Sequence, residues 1–447
     1  MSERVSHTDL KKPGWAQTIS WAFYDWANTG YSMIVLALIF PRLYKGYFGS
    51  QLSDDQQTFW FTMTVSVASV CVAVLAPFLG SFGELGGLRK RLLLRFCAIG
   101  VVATGACYLV GKDQYELASL VYIVGTVSFY SANLFSDSLL AKVSTKENRH
   151  LVSGLGFSFG YTAGFLLLAI TVVLTTKAEE FGFSDVGDAS RAMFIVAAIW
   201  WAVFSLPLAW KIREKPRADR PSTIAMARQS ATNTWQTLKE VVSHKPVLWF
   251  LVAYLFYIDG VNTIITTASN YGATVGFTQN QIIVGFFIVQ IFGVPCAILF
   301  GLLGNKIGPR RMIYVAMGIY LVVTIYGALI ETEPVVVFGI SISEMYILAA
   351  MIGMVQGGIQ ALSRSYFNSL IPVGREVSFF GFYSMIGKSA AILGPILIGS
   401  VALLFNNPES PAFSTRLGMG SVSILFVVGA IFLLKAGRAE QRASTES

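Results

Sequence analysis

Apolar runs of about 20 residues recur along this chain, and a run of that length is what a helix needs to cross the hydrocarbon core of a bilayer. Twelve such windows can be drawn, at roughly 17–40, 59–81, 92–111, 117–141, 152–175, 191–211, 247–269, 281–303, 312–330, 343–370, 377–404 and 416–435. The joints between them are short, with one exception. Residues 212–246 are polar and basic and carry Lys215-Pro216-Arg217 and Arg220-Pro221, with a stretch at about 222–243 suited to an interfacial helix. The pattern predicts an all-α membrane protein. Its parts are a six-span bundle over 1–211, a cytoplasmic basic linker over 212–246, a second six-span bundle over 247–436 and a polar tail over 437–447.

Polar residues inside these runs are costly and by default mark function. One short word occurs twice: Asp25-Trp26-Ala27-Asn28-Thr29 in the first window and Asp259-Gly260-Val261-Asn262-Thr263 in the seventh. The spacing i, i+3, i+4 puts acid, amide and hydroxyl on one helix face. The fourth window has its own stripe of Tyr130, Asn133 and Asp137, and the tenth has Gln356, Gln360 and Arg364. Lys388 lies in the eleventh, one turn after Ser384. Interhelical glue, worth about 0.6 kcal/mol per contact, accounts for one such stripe. Four of them, at every third window, favour a shared polar cavity.

Composition agrees with the windows. Hydrophobic residues make up 54% of 447 and charged residues 13%, about half the usual charged share of a soluble domain. The net charge of +8 reflects topology. With the N-terminus inside, 25 of the 33 Lys and Arg fall in inner segments and six in outer ones, which predicts cytoplasmic termini. That distribution supplies affinity for anionic lipid and gives no nucleic-acid patch. Cys71, Cys97, Cys107 and Cys296 sit in apolar stretches without metal-ligand spacing. His7, His150 and His244 fall in expected terminal or cytoplasmic loops, so no metal, catalytic centre or cofactor is expected and the chain reads as no enzyme. Gly381 to Ser389 mimics a phosphate-binding loop but has five residues between its glycines and no preceding strand, which argues against a nucleotide site. Gly154, Gly156, Gly160 and Gly164 in the fifth window read as small-residue helix packing. The first window is too long for a signal-peptide core and is expected to stay in the protein.

A second repeat supports two related halves. Gly80-Ser-Phe-Gly-Glu84-Leu-Gly-Gly87-Leu-Arg89-Lys90 aligns without gaps with Gly301-Leu-Leu-Gly-Asn305-Lys-Ile-Gly308-Pro-Arg310-Arg311, and Asp137-Ser-Leu-Leu echoes Asn368-Ser-Leu-Ile. Parallel six-helix repeats are the plan of the major facilitator transporters, and the glycine-acid-basic loop resembles that superfamily's signature loop. It departs from the pattern at Glu84, which stands for the usual aspartate, at Leu85, which replaces a basic residue, and at Asn305, which removes the acid from the second copy. A gating ion pair is therefore expected from the first copy. The resemblance implies that spans 1, 4, 7 and 10, which carry the four stripes, line a central cavity.

Trp21-Ala-Phe-Tyr-Asp25-Trp-Ala-Asn28, Ser153-Gly-Leu-Gly156-Phe-Ser-Phe-Gly160-Tyr161, Gln356-Gly-Gly-Ile-Gln360-Ala-Leu-Ser363-Arg364-Ser365 and Phe379-Phe380-Gly381-Phe382-Tyr383 with Gly387-Lys388 resemble the autophagy-related vacuolar amino-acid effluxer family and its bacterial relatives. Fungal members of that family are linked to amino-acid efflux from the vacuole. The resemblance implies a secondary transporter, with a bacterial inner membrane as the expected home. The expected substrate is a small zwitterion such as an amino acid. Asp25 and Asp259 would serve an ammonium group or a coupling proton, and Arg364 or Lys388 a carboxylate. Asp259, expected near the midplane and facing Asp25 across the cavity, is the favoured binding acid, and Asp25 equally suits an inner gate. Export of a sugar or drug-like cation stays open, as does a non-transporting sensor with the same fold.

Overall fold

The computed structural model describes residues 13–214, 221–337, 339–390, 392–405 and 411–446. Arg4, His7, Lys11, Lys12, Lys215, Pro216, Arg217 and Arg220 lie outside the described residues.

The chain is helical almost throughout. Its span-length helices are α2 (Asp54–Gly86), α3 (Arg89–Leu109), α4 (Tyr115–Ser138), α5 (Arg149–Thr176), α6 (Val186–Lys211), α7 (Lys245–Val275), α8 (Gln279–Ile307), α9 (Pro309–Leu329) and α10 (Glu344–Leu370). Two further segments, 376–404 and 413–443, bring the helices long and apolar enough to cross a membrane to 11 among the described residues. They contain α11 (Glu376–Ser389 and, after a break, Leu393–Leu404) and α12 (Ser423–Glu446, preceded by Pro411–Ser421). At the N-terminus, α1 (Trp15–Tyr31) runs on through π-helical Ser32–Leu38, Ile39–Leu43 and π-helical Tyr44–Phe48. That run reaches well past the expected end at 40.

Local chemistry explains several boundaries. Ser53 opens α2 and Thr278 opens α8 with a capping box, each exchanging hydrogen bonds with the glutamine three residues on. Gly87 closes α2 at φ 59°, a left-handed conformation that glycine adopts without steric cost. Gly308 at φ 95° turns the chain from α8 into α9. A two-stranded antiparallel hairpin, Val335–Val337 with Ile340–Ile342, was not expected. Its β-branched residues favour strands, and Gly339 at φ 80° allows the turn. His150 is no loop residue: it is the second residue of α5 and is buried.

Two buried clusters form the interior. One draws on residues from Trp21 to Met226 together with Val377, the other on residues from Val241 to Ala436. The two sets meet along two seams where backbone lies against backbone. In one, Gly80 of α2 packs on Val377 and Gly381 of α11, and Gly381 on Ala76 and Pro77. In the other, Gly301 of α8 packs on His150 and Leu151 of α5, and Gly154 on Ala297. A Cβ at any of these glycines would meet a carbonyl oxygen closer than 3 Å. The first glycine of each repeated loop, Gly80 and Gly301, therefore serves close approach of the two sets. Between α6 and α7 a separate helix, Thr223–Ser243, packs on α2, with Thr234 donating to the Pro77 carbonyl and bonded to Ser81.

Candidate functional site

At the end of the bundle that carries the basic loops, Arg364 of α10 crosses from one set of helices to the other. It is 4% exposed. Its Nη1 donates to Asp25 Oδ2 at 3.0 Å and to Asp137 Oδ1 at 3.1 Å, and its Nη2 donates to Asp25 Oδ2 at 3.0 Å and to the Ser153 carbonyl at 3.0 Å. The Nε donates to Ser153 Oγ at 3.0 Å. A guanidinium has five N–H donors, and here each has an acceptor. The plane is also sandwiched between rings, with Cζ 4.7 Å from the Trp21 centroid and 4.6 Å from that of Phe157. Arginine stacks on aromatic faces because its charge is delocalised and weakly hydrated. Trp21 is in turn fixed by its indole N–H on the Ser136 carbonyl at 2.8 Å.

Gly156 makes room for this cluster, since a Cβ there would overlap the Asp25 carboxylate. The glycine run in α5 is thus helix packing at Gly154, against Ala297, and a seat for an ion pair at Gly156. Ser153, Gly156 and Phe157 were not expected in this role. No periodicity signals them, because their importance lies in which neighbouring helix they face.

The rest of the first word stays close by. Asn28 donates to Asn133 of α4 at 2.9 Å, and Thr29 returns its hydroxyl to the Asp25 carbonyl at 2.7 Å. Asn28 and Asn133 thereby tie α1 to α4 beside the two carboxylates.

The second word does something else. Asp259 is 0% exposed. Its carboxylate accepts from the backbone N–H groups of Ile392, Leu393 and Gly394 at 3.3, 2.9 and 2.8 Å, and from the Thr263 hydroxyl at 3.2 Å. Those N–H groups open the second piece of α11, whose first turn has unpaired donors and a positive dipole end. Asn262 completes the joint by donating to the Ala390 carbonyl, at the end of the first piece, at 2.8 Å. Pro395 has no N–H to continue the helix across the break, and a Cβ at Gly394 would overlap Thr263. Asp259 is therefore the cap of a broken helix. The expectation of a carboxylate open to a solute or proton is corrected: its oxygens accept from backbone N–H groups and the Thr263 hydroxyl.

Lys388 sits just before that break. Its ammonium lies 3.4 Å from the Tyr130 hydroxyl and 4.5 Å from the Tyr130 ring centroid on α4. It has no carboxylate partner among the described residues. Gln356, half-buried on α10, faces the Tyr161 hydroxyl of α5. Gln360 is half-buried one turn before Arg364.

The repeated loops surround the cluster at the basic end. Glu84 accepts from Arg375 Nη1 at 2.6 Å and from the Ser378 backbone N–H at 3.2 Å, near the start of α11. Arg375 also reaches Glu240 Oε2 at 2.7 Å. Burial acts to lower the Arg375 pKa, but Glu84 and Glu240 outweigh it and hold it above its ordinary value. Arg89 pairs with Glu376 at 2.9 Å, and the Lys90 backbone N–H donates to Glu214 at 2.8 Å. In the second copy Asn305 accepts from the His150 N–H at 3.3 Å at the start of α5, the neutral counterpart of Glu84 on Ser378. The His150 ring is bonded to Ser365 at 2.8 Å. Arg310 pairs at 3.5 Å with Glu440 of α12, within its own set of helices. Arg311 makes no ion pair across among the described residues. Among the described residues the first copy thus makes ion pairs between the two sets and the second makes none. Glu240 and Glu376 were missed as partners, although an acid in the first turn of α11 is a legible signal.

A helical bundle of span-length segments, two packed sets of helices joined along glycine seams and a buried charge cluster between them define a major facilitator protein, integral to the membrane and multi-pass. In solved structures, the proton:xylose symporter XylE bound to 6-bromo-6-deoxy-D-glucose superposes with a TM-score of 0.65 at 13% identity, covering 94% of this chain and 95% of that one. A double-tryptophan variant of XylE gives a TM-score of 0.70 at 13% identity, covering 95% and 96%. At that identity the likeness is one of fold. Residues 47–443 match the family described as "Vacuole effluxer Atg22 like", and the chain belongs to that family. It is 34% identical to the "Uncharacterized MFS-type transporter YxiO" of Bacillus subtilis (strain 168), over 93% of this chain and 94% of that protein. It is 25% identical to "Autophagy-related protein 22" of Kluyveromyces lactis over 70% and 67%.

Proposed function

We propose that the chain is a secondary transporter that moves a small polar solute by alternating access. Its 12 spans, formed by the 11 helices above and the N-terminal run, form two six-helix halves with both termini cytoplasmic. The basic end is then the cytoplasmic face, and a bacterial inner membrane is the expected home. The observation that carries the reading is Arg364, which binds two aspartates of the opposite half inside the membrane. Opening the inner side requires this contact to separate.

The cluster also suits proton coupling. Two ionised carboxylates against one guanidinium leave a net charge of −1 in a low-dielectric interior, where an uncompensated charge is expensive. A proton is the smallest ion that balances it. Protonation of Asp25 or Asp137 weakens the hold on Arg364, which links proton uptake to gate release.

With Arg364 engaged in the gate, Lys388 is a cation within the spans that has no carboxylate partner among the described residues. An ammonium resting on a tyrosine suits a carboxylate, and Asn28, Asn133, Gln356 and Gln360 offer hydrogen bonds to a polar solute. An amino acid fits this set better than a sugar, which needs no cation, or a drug-like cation, which Lys388 repels. The description of the family as vacuole effluxers agrees with a transport role. The test is uptake of an amino-acid panel into proteoliposomes under an imposed pH gradient. Gradient-driven uptake of at least one amino acid is expected, lost in Asp25→Asn and in Lys388→Gln. Uptake that survives both substitutions unchanged contradicts the reading.

A further inference from the structure

The helix between the two halves, Thr223–Ser243, has three faces where a surface helix usually has two. At about 100° per residue, Met226, Ser230, Thr237 and Val241 share one stripe and are buried against the bundle. A second stripe carries Ala225, Gln229, Thr232, Gln236, Glu240 and Ser243 and is polar. The third stripe carries Ile224, Trp235 and Val242 and is exposed, Ile224 at 84% and Trp235 at 59%. Arg228 and Lys239 lie on its border with the polar stripe. The Lys239 ammonium lies 5.8 Å from the Trp235 ring centroid, so the cation stands directly over the apolar anchor.

Protein covers the first stripe and the second suits water. The third suits neither, because exposed apolar rings bordered by cations match the boundary of a bilayer. There, the rings enter the headgroup–acyl region while long basic side chains reach the phosphates. We propose that this face docks on the bilayer surface, with Trp235, Ile224 and Val242 inserted and Arg228 and Lys239 on anionic phospholipid headgroups. The cations commit the surface to anionic lipid, since a zwitterionic bilayer supplies no net charge for them.

The docking has a mechanical consequence. The same helix holds Arg375 through Glu240 and through the Thr237 hydroxyl at 3.0 Å, and Arg375 holds Glu84. Lipid that fixes the helix therefore fixes the clamp between the two halves. The docking itself does not rest on the transport reading.

The test uses the full chain in nanodiscs of acyl-brominated phosphatidylcholine, alone or mixed with phosphatidylglycerol, with tryptophan quenching as the readout. The difference between the wild type and Trp235→Phe isolates Trp235. We expect Trp235 to be quenched, more strongly in the anionic mixture, with high salt reversing the increment. Arg228→Gln with Lys239→Gln should remove the increment and leave the thermal midpoint unchanged. An unquenched Trp235, as a surface for a soluble protein partner would give, overturns the proposal. So does quenching indifferent to phosphatidylglycerol and to the two cations.

Discussion

The words Asp25-x-x-Asn28-Thr29 and Asp259-x-x-Asn262-Thr263 share their polar letters and spacing, yet they hold different things together. The first meets side chains: its aspartate takes a guanidinium from the other half, and its asparagine gives to the side-chain carbonyl of Asn133 within its own half. The second faces a break in a neighbouring helix: its aspartate takes three backbone N–H groups, and its asparagine gives to a backbone carbonyl. The neighbour decides the difference. α5, beside the first word, is continuous and offers Gly156 as space, whereas α11, beside the second, is interrupted and offers free donors. A side-chain contact between halves can be exchanged during a transport cycle. A cap on three main-chain donors is a fixed part of the fold.

Substitutions can break this contrast, starting with the largest effect. Arg364→Gln leaves the half-buried Asp25 and Asp137 without their partner, a loss that approaches the about 3–5 kcal/mol of stranding one side of a buried pair. A large fall in thermal midpoint and loss of transport are expected. Asp259→Ala strands the buried N–H of Gly394 at the α11 break, about 1–3 kcal/mol, while the N–H groups of Ile392 and Leu393 are only partly buried. Asp259→Asn keeps one acceptor oxygen and loses the other to an NH2 that cannot accept, a smaller loss than Asp259→Ala, so it should fold and retain pH-gradient-driven uptake where Asp25→Asn does not. Equal loss in the two asparagine variants would erase the distinction between the words. Gly156→Ala pushes the Asp25 carboxylate away from Arg364, and about 1–3 kcal/mol of overpacking is expected in the denaturation midpoint. Asn262→Ala removes one hydrogen bond at the break, about 1 kcal/mol. Arg310→Gln, acting on a partly exposed pair with Glu440, should change the midpoint by about 0–1 kcal/mol.

Much of the scaffold was legible in the chain because a bilayer imposes a length and a composition on every span. The glycine-acid-basic loop was legible because glycine is needed where backbones touch, and Gly80 and Gly301 do touch the opposite set of helices. The candidate site was legible as a set of costly residues but not as a set of partners. Asp25, Asp137 and Arg364 were each visible as intramembrane charges. That they share one cluster depends on how α1, α4 and α10 rotate about their axes, which no single helix records. Asp259 shows the limit most clearly. Within its own helix it is indistinguishable from Asp25, and its role depends on a break in α11 that Gly387, Gly394 and Pro395 mark only as weak helix-formers. The hairpin at 335–342 escaped for the same reason, being short and set by one turn glycine.

The central claim is that Arg364 with Asp25 and Asp137 closes the basic end, while Asp259 does not take part. Spin labels at Arg91→Cys and Val373→Cys, both on exposed positions at that end, in a background with Cys71, Cys97, Cys107 and Cys296 changed to serine, read the separation of the halves by double electron–electron resonance. The account predicts one short distance in the parent and in Asp259→Asn, and a second, longer population in Asp25→Asn with Asp137→Asn. An unchanged distance distribution in the Asp25/Asp137 variant, or a longer population in Asp259→Asn alone, would contradict it.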